Sequence, residues 1–236
     1  MLQQEYQLYA ATDHHVWSIL YSRQLEKIKK SAYSHFATGI KKLGFNEQAI
    51  PDFAATNKRL MKITGWQIYA VPGLIDNSYF FERMVSKQFG ATTWIRKMEE
   101  LDYLQEPDMF HDVFGHIPLL ADPSICNYLH GLATIAVRHI NNEKIIGAIA
   151  RLYWYTIEFG LVKENNQLKI YGAGILSSIG ETDYCLSNKA VLVPFNLEQI
   201  LHTPYIKDTF REQYFVLESI EQLEEIPRLF NIKLSS

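Results

Sequence analysis

The stretch EPDMFHDVFGHIP, residues 106–118, concentrates ionisable side chains and decides how the rest of the chain is interpreted. Two histidines, two aspartates and a glutamate fall within eleven positions. His111 and His116 are five residues apart, which on an ideal α-helix turns them roughly 140° away from a common face. They can still meet at one ion if a short helix over 107–116 ends between them, and Gly115 and Pro118 favour such an end. The stretch therefore predicts two imidazole ligands of a metal site.

A third ligand is predicted in the stretch ARLYWYTIEFGLV, residues 150–162, where Glu158 is surrounded by apolar residues. A buried carboxylate without a partner costs several kcal/mol, and metal ligation is one way to stabilise it. Two imidazoles and one carboxylate suit ferrous iron with three open positions. The same set also describes catalytic zinc, although the zinc protease signature His-Glu-x-x-His is absent. An ion pair of Glu158 with Arg138 or Arg151 is the simpler alternative.

Asp108 precedes His111 by three residues, so the two share a helical face. We expect its carboxylate to accept a hydrogen bond from the ring N–H of His111 that does not face the metal. The alternative is that Asp108 and Asp112 only favour the N-terminus of a helix electrostatically.

Outward from these motifs, hydrophobic periodicity predicts a mainly α protein with a few short β-strands. Asp13 is a candidate N-cap of a long first helix, which Gly44 ends. No repeat, low-complexity tract or flexible linker interrupts the chain, which favours a single domain. We expect helices over 13–43, 52–63, 77–89, 107–116, 123–141, 143–160, 196–202 and 219–230, and strands over 66–71, 91–95, 168–171 and 214–217.

Composition narrows the class of protein. The 236 residues are 47% hydrophobic and carry a formal net charge of −3, which gives no reason to expect nucleic acid or an anionic membrane as a partner. Cys126 and Cys185 are isolated, as is typical of a reducing compartment. The N-terminus does not resemble a signal peptide, and the apolar runs are too short to span a bilayer. We therefore expect a cytoplasmic protein.

Three strings together resemble the pterin-dependent aromatic amino acid hydroxylases: residues 106–118, YWYTIEFG at 153–160 and YGAGILSS at 171–178. The resemblance extends from about Asp13 to Leu223. It implies a mostly helical, single-domain catalytic fold over residues 13–236, after an N-terminal extension of residues 1–12. It also implies that His111, His116 and Glu158 bind Fe(II).

The resemblance extends to the cofactor and substrate pockets. The string VPGLI, residues 71–75, is similar to the family's pterin-binding loop, and Phe80 to the ring that stacks on the pterin. Arg96 resembles the arginine that binds the substrate carboxylate. As plain alternatives, Phe80 and Trp154 are core residues, Gly73 is a turn glycine, and Arg96 pairs with Glu99 or Glu100. The implied pterin residues are Gly73, Leu74, Ile75, Phe80 and Tyr153, and the implied substrate residues are Arg96, Trp154, Gly174 and Ser177.

The activity that the resemblance implies is hydroxylation of L-phenylalanine by dioxygen with a reduced tetrahydropterin. A tryptophan or tyrosine hydroxylase, a zinc hydrolase or a non-catalytic binding protein are the alternatives. No regulatory domain precedes the catalytic region and no heptad tail follows residue 230, so we expect a monomer. Lys207, within the stretch 205–208, is not the apolar residue expected for phenylalanine, so strict substrate preference stays open.

Overall fold

The computed structural model describes residues 2–102, 104, 106–204 and 213–234, and most of these residues are helical, as predicted. None of the described helices combines the length and the apolar character that crossing a bilayer requires. Two π-helices span Phe110–His116 and Trp154–Glu158, and a 3-10 turn over Ile117–Ala121 follows the first. The α-helices are α1 Ala11–Ile28, α2 Ser34–Leu43, α3 Phe53–Ile63, α4 Asn77–Val85, α5 Pro123–Arg138, α6 Glu143–Tyr153, α7 Ala173–Leu176, α8 Ile179–Cys185, α9 Leu197–His202 and α10 Gln222–Leu234.

The described strands form two small sheets. Strands β1 and β2 pair in parallel, and a four-stranded sheet has the order β4-β3-β6-β5. Within it, β3 and β4 are antiparallel, whereas β6 runs parallel to both β3 and β5. The strands are β1 Gln67–Val71, β2 Gln88–Thr92, β3 Leu161–Glu164, β4 Gln167–Ile170, β5 Val191–Pro194 and β6 Gln213–Leu217.

The single long helix expected over 13–43 is wrong, because the chain leaves helical geometry between α1 and α2. There the backbone pairs with Ile170 of β4: Ser31 accepts from the Ile170 N–H at 2.7 Å, and Tyr33 donates to the Ile170 carbonyl at 2.8 Å. Asp13 is not the N-cap either. It lies in the first turn of α1, where its carboxylate accepts from the Ala10 N–H at 2.8 Å. The predicted end at Gly44 is confirmed, with a left-handed φ of 71°.

Helix α4 ends at Val85, four residues before the end that the hydrophobic periodicity predicts at residue 89. Lys87 adopts a left-handed φ of 56°, and the chain enters β2 at Gln88, paired with Gln67 of β1. Pairing with β1 thus overrides the local preference for helix. The strand predicted over 91–95 is displaced toward the N-terminus for the same reason.

The hairpin of β3 and β4 was only half predicted, since the strand β3 was missed. Its two-residue loop consists of Asn165 and Asn166, with φ values of 52° and 60°. Positive φ at both loop positions is typical of the tight hairpin turn that favours asparagine, so the Asn-Asn pair was a usable signal. Strand β5 and helices α7 and α8 were also missed.

An aromatic cluster fixes the first π-helix against α1 and α2. Phe110 and Phe114 of the π-helix stack with ring centroids 4.7 Å apart. Trp17 packs edge-on against Phe110 at 5.6 Å, and Tyr21 and Phe36 each pack edge-on against Phe114 at 5.5 Å. Such edge-to-face pairs favour one relative orientation of the rings. This packing against α1 and α2 therefore holds one side of the helix firmly, while its other side carries the histidines, of which His116 is also buried.

Candidate metal centre

His111, His116 and Glu158 converge on one point between the two π-helices. The His116 Nε2 atom lies 3.1 Å from a Glu158 carboxylate oxygen, and the His111 Nε2 atom lies 3.5 Å from the other oxygen. The two Nε2 atoms are 3.3 Å apart. Ligand bonds of about 2.1 Å at right angles around one ion would place neighbouring donors about 3 Å apart. The three side chains therefore fit a single ion, as the sequence predicted.

The way in which the histidines meet differs from the prediction. No helix end separates them: residues 110–116 form a continuous π-helix that runs directly into the 3-10 turn Ile117–Ala121. Because a π-helix hydrogen-bonds residue i with residue i+5, residues five apart come close to one face. A spacing unfavourable for an α-helix is thus suited to the helix that forms. Glu158 also ends a π-helix, where the Phe159 N–H donates to the Trp154 carbonyl at 3.0 Å.

Ser177 fixes the His111 ring, and not Asp108 as the sequence predicts. The Ser177 hydroxyl donates to the Ala173 carbonyl at 2.8 Å, and its oxygen lies 3.0 Å from His111 Nδ1. A hydroxyl has one proton to donate, so at this contact the His111 Nδ1–H donates a hydrogen bond to the Ser177 oxygen. That leaves the Nε2 lone pair of His111 directed at the other ligands, ready for a metal.

Asp108 instead holds Arg96. The Arg96 Nε and Nη2 atoms donate to the two Asp108 carboxylate oxygens at 2.8 Å and 2.9 Å. Asp108 also accepts from the backbone N–H of His111 at 3.1 Å, so it acts on the ligand helix through the backbone and not through the ring. Burial raises the pKa of Asp108, but the hydrogen bonds and charge of Arg96 outweigh it and keep that pKa below its usual value. Arg96 therefore pairs with Asp108 and not with Glu99 or Glu100.

Asp112 is a residue of this region whose place the sequence did not reveal. Its carboxylate accepts from the Thr92 N–H at 2.8 Å and so ties the first π-helix to the end of β2. Burial raises the pKa of the Asp112 carboxyl, although His111 and the Thr92 N–H oppose the rise. The one sequence signal for a role of Asp112 was its position directly after the candidate ligand His111.

Aromatic rings line the side of the centre next to His116. Phe89 of β2 lies 5.0 Å from the His116 ring, and Tyr153 stacks on it at 6.4 Å. Phe80 of α4 packs edge-on against Tyr153 at 6.0 Å. Burial, followed by the charges of Glu158 and Asp112, raises the pKa of Tyr153, so its hydroxyl stays protonated. Two of the residues predicted to bind the pterin therefore lie together near a metal ligand.

The other predicted pterin residues lie in the loop between β1 and α4. A side chain at Gly73 would contact nothing within 4 Å, and the Leu74 side chain is 82% exposed. Asp76 caps α4 by accepting from the Ser78 N–H at 2.8 Å. The loop, which includes Ile75, is thus exposed to solvent, and the cap of α4 fixes its C-terminal end.

The remaining predicted substrate residues lie beside the ends of the two π-helices. The Trp154 ring packs on Phe159 at 4.7 Å, and a side chain on Gly174 would lie 2.9 Å from the Phe159 ring and 3.0 Å from the Glu158 carbonyl. Gly174 and Ser177 therefore flank the two π-helices. The stretch 205–208, which contains Lys207, lies outside the described residues.

Comparison with known proteins agrees with this geometry. Residues 5–236 match the family described as biopterin-dependent aromatic amino acid hydroxylase. A phenylalanine-4-hydroxylase of Chromobacterium violaceum is 45% identical over 226 residues, which cover 94% of this chain and 75% of the relative.

Two crystal structures of phenylalanine hydroxylase from the same organism superpose closely. One, with bound iron(III) and 7,8-dihydrobiopterin, has a TM-score of 0.93 at 42% identity and covers 99% of this chain and 86% of its own. Another, bound to cobalt, has a TM-score of 0.94 at 42% identity and covers 100% and 86%. The chain belongs to the biopterin-dependent aromatic amino acid hydroxylases.

Proposed function

We propose that this protein is a phenylalanine 4-monooxygenase, which uses Fe(II), a tetrahydropterin and dioxygen to convert L-phenylalanine to L-tyrosine. The proposal rests chiefly on the convergence of His111, His116 and Glu158, whose donor atoms lie 3.1 to 3.5 Å apart. One relative of known structure is a phenylalanine hydroxylase with bound iron(III) and 7,8-dihydrobiopterin. When bound, iron and pterin supply the activation of dioxygen, and the protein supplies binding and orientation.

The donor set fits iron because it combines two neutral nitrogens with one anionic oxygen on one side of the ion. The proton that Ser177 holds on His111 Nδ1 keeps Nε2 free as a ligand. The Glu158 side chain is only 14% exposed, so its negative charge stays close to the ion with little competition from water. These three residues would hold the metal from one side and leave its other positions for the reactants.

Arg96 orients the substrate in this proposal. Its side chain is 10% exposed, and Asp108 engages Nε and Nη2, while the Nη1 contact found among the described residues is a long 3.4 Å to the Leu101 carbonyl. A guanidinium held this way presents a fixed positive charge to the carboxylate of an amino acid. Trp154, Gly174 and Ser177 would then form the walls around the ring, so that orientation lowers the barrier.

Phe80 and Tyr153 form the pterin-binding part of the pocket in this proposal. Phe80 offers a ring face for stacking, while the loop with Gly73, Leu74 and Ile75 offers backbone groups for hydrogen bonds to the edge of the heterocycle. Stacking beside His116 would bring the pterin next to the metal and close the pocket to water.

The decisive experiment is anaerobic loading with Fe(II), followed by tetrahydropterin, oxygen and L-phenylalanine, with chromatographic detection of tyrosine. We expect tyrosine to form in proportion to pterin consumed, and less product from L-tryptophan or L-tyrosine. A protein that is iron-replete and yet oxygenates none of the three amino acids would overturn the proposal. Tryptophan or tyrosine hydroxylation and zinc-dependent hydrolysis are not favoured, because the similar proteins described above are phenylalanine hydroxylases, one of them with bound iron.

We also propose that residues 13–236 form the catalytic unit behind an extension of residues 1–12, and that the protein is a cytoplasmic monomer. Cys126 and Cys185 are both buried free thiols, in keeping with a reducing compartment. Light scattering after gel filtration tests the oligomeric state: a mass near 27.4 kDa is expected, and twice that value would contradict it.

A further inference from the structure

The segment Gly172–Ser177 lies between the two π-helices and touches the backbone of both; we call it the spacer segment. A Cβ atom on Gly172 would lie 2.5 Å from the Glu158 carbonyl oxygen and 2.5 Å from the Gly160 nitrogen. On the other side, a Cβ atom on Gly115 of the first π-helix would lie 2.9 Å from the Ala173 carbonyl oxygen. Each helix that carries metal ligands therefore meets the spacer segment at a glycine contact.

These two glycines are not required by backbone conformation. Gly172 has a φ of −66° and a ψ of 124°, which any residue adopts. Among the described glycines, Gly44 and Gly65 have positive φ, and both lie elsewhere. Gly115 and Gly172 are thus glycine because there is no room for a side chain.

The contacts are rigid, since the atoms that would be struck belong to the backbone. A flexible side chain could rotate away from an added methyl group, but the Glu158 and Ala173 carbonyls cannot do so without moving their helices. Ser177 adds a third link, because its hydroxyl bonds both the Ala173 carbonyl and the His111 ring. Displacing the spacer segment therefore moves His111 relative to Glu158.

We propose that Gly172 and Gly115 are positioning residues, which set the separation of the two π-helices and so the distances among the three metal ligands. The inference rests on the metal-binding role proposed above. Neither glycine is one of the three candidate ligands or one of the proposed substrate residues. Their effect arises because metal affinity depends on ligand distances within a few tenths of an ångström.

The test measures Co(II) binding to the metal-free protein by titration, since a cobalt-bound relative of known structure makes Co(II) a suitable spectroscopic probe. We expect Gly172→Ala to weaken Co(II) binding by about ten- to a hundredfold, the range seen when residues that orient ligands are altered. Gly115→Ala should have a smaller effect, because its contact is longer. Both should alter the visible d–d spectrum of the bound ion.

Two control variants separate positioning from ordinary packing. A Cβ atom on Gly147 of α6 meets nothing within 4 Å, so Gly147→Ala should bind Co(II) as the wild type does. A Cβ atom on Gly131 of α5 would strike the Pro227 side chain at 2.7 Å, so Gly131→Ala should lower thermal stability without weakening Co(II) binding.

Wild-type Co(II) affinity and spectrum in Gly172→Ala would overturn the inference, as would an equal loss of affinity in Gly131→Ala. If Gly172→Ala does not fold, Gly115→Ala decides by the same two readouts. Neither measurement involves pterin or phenylalanine. A wild-type protein that binds Co(II) but never forms tyrosine would therefore contradict the proposed function and leave this inference standing.

Discussion

The metal-binding wall and the proposed pterin-binding wall of this protein are built in different ways. The metal wall consists of two π-helices whose ligands are fixed from behind by Ser177 and by stacked core rings. The pterin wall consists of the open loop between β1 and α4, in which the Leu74 side chain is 82% exposed. The contrast indicates a preorganised candidate metal site beside a proposed cofactor site that has room for a ligand to enter. Changes in the first wall should therefore be far more damaging than changes in the second.

Removal of a metal ligand should have the largest effect. We expect His111→Ala and Glu158→Ala to lose iron and all detectable tyrosine formation, because two remaining ligands hold the ion more than about a hundredfold more weakly. Iron content after gel filtration and a chromatographic assay measure this. His15→Ala is the control, since this exposed histidine of α1 is far in sequence from the three candidate ligands. Stoichiometric iron in either ligand variant would show the assignment to be wrong.

Loss of Arg96 should come next and should damage both stability and substrate binding. Arg96→Ala leaves the fully buried Asp108 carboxylate without its cation, which costs roughly 3 to 5 kcal/mol of unfolding free energy. Urea unfolding measures the loss of unfolding free energy, and the KM for phenylalanine measures the loss of substrate binding. The double variant Arg96→Met with Asp108→Leu should recover part of the stability, since the backbone N–H groups of residues 96 and 111 still lose their acceptor, but it should not recover phenylalanine affinity. Recovery of both would remove Arg96 from the substrate site.

Truncation of Phe80 tests the pterin wall. We expect Phe80→Ala to raise the KM for tetrahydropterin about three- to tenfold, the equivalent of about 0.5 to 1.5 kcal/mol of ring stacking. The KM for phenylalanine and the iron content should stay near wild type. Met61→Ala is the control, because this exposed residue of α3 lies outside the proposed pterin site. An unchanged pterin KM in Phe80→Ala would mean that this ring belongs to the core only.

The smallest effect is expected at Arg83, which fastens α4 to β1 behind the loop. Its guanidinium lies 5.0 Å from the ring centroids of both Tyr69 and Tyr79. Arg83→Ala should lower unfolding free energy by about 1 kcal/mol, measured by urea, through loss of these cation–π contacts. Iron affinity should not change. If it falls, the two walls are coupled and the contrast between them is weaker than the structure indicates.

Much of the fold could be predicted from local patterns, and the failures have a common cause. Helix α3 and strand β1 follow hydrophobic periodicity within a residue or two of the expected bounds. The long first helix and the end of α4 were wrong because backbone pairing with Ile170 and with Gln67 competes with local helix preference. Such pairings join residues distant in the chain, and one sequence does not reveal them.

By itself, the sequence determined the identity of the three candidate ligands and the chemistry they favour. Residue type alone sets which atoms can bind iron, and an isolated glutamate in an apolar stretch has few other ways to be stabilised. The resemblance of three strings to one family pointed to the same residues.

Only the tertiary structure decided how those ligands meet. A π-helix takes the place of the expected helix end. Ser177 hydrogen-bonds the His111 ring, and Asp108 hydrogen-bonds Arg96. The physical reason is that helix type and hydrogen-bond partners depend on packing against distant segments. The backbone contact of Gly172 with Glu158 is one such packing constraint, and it has no signature in local sequence.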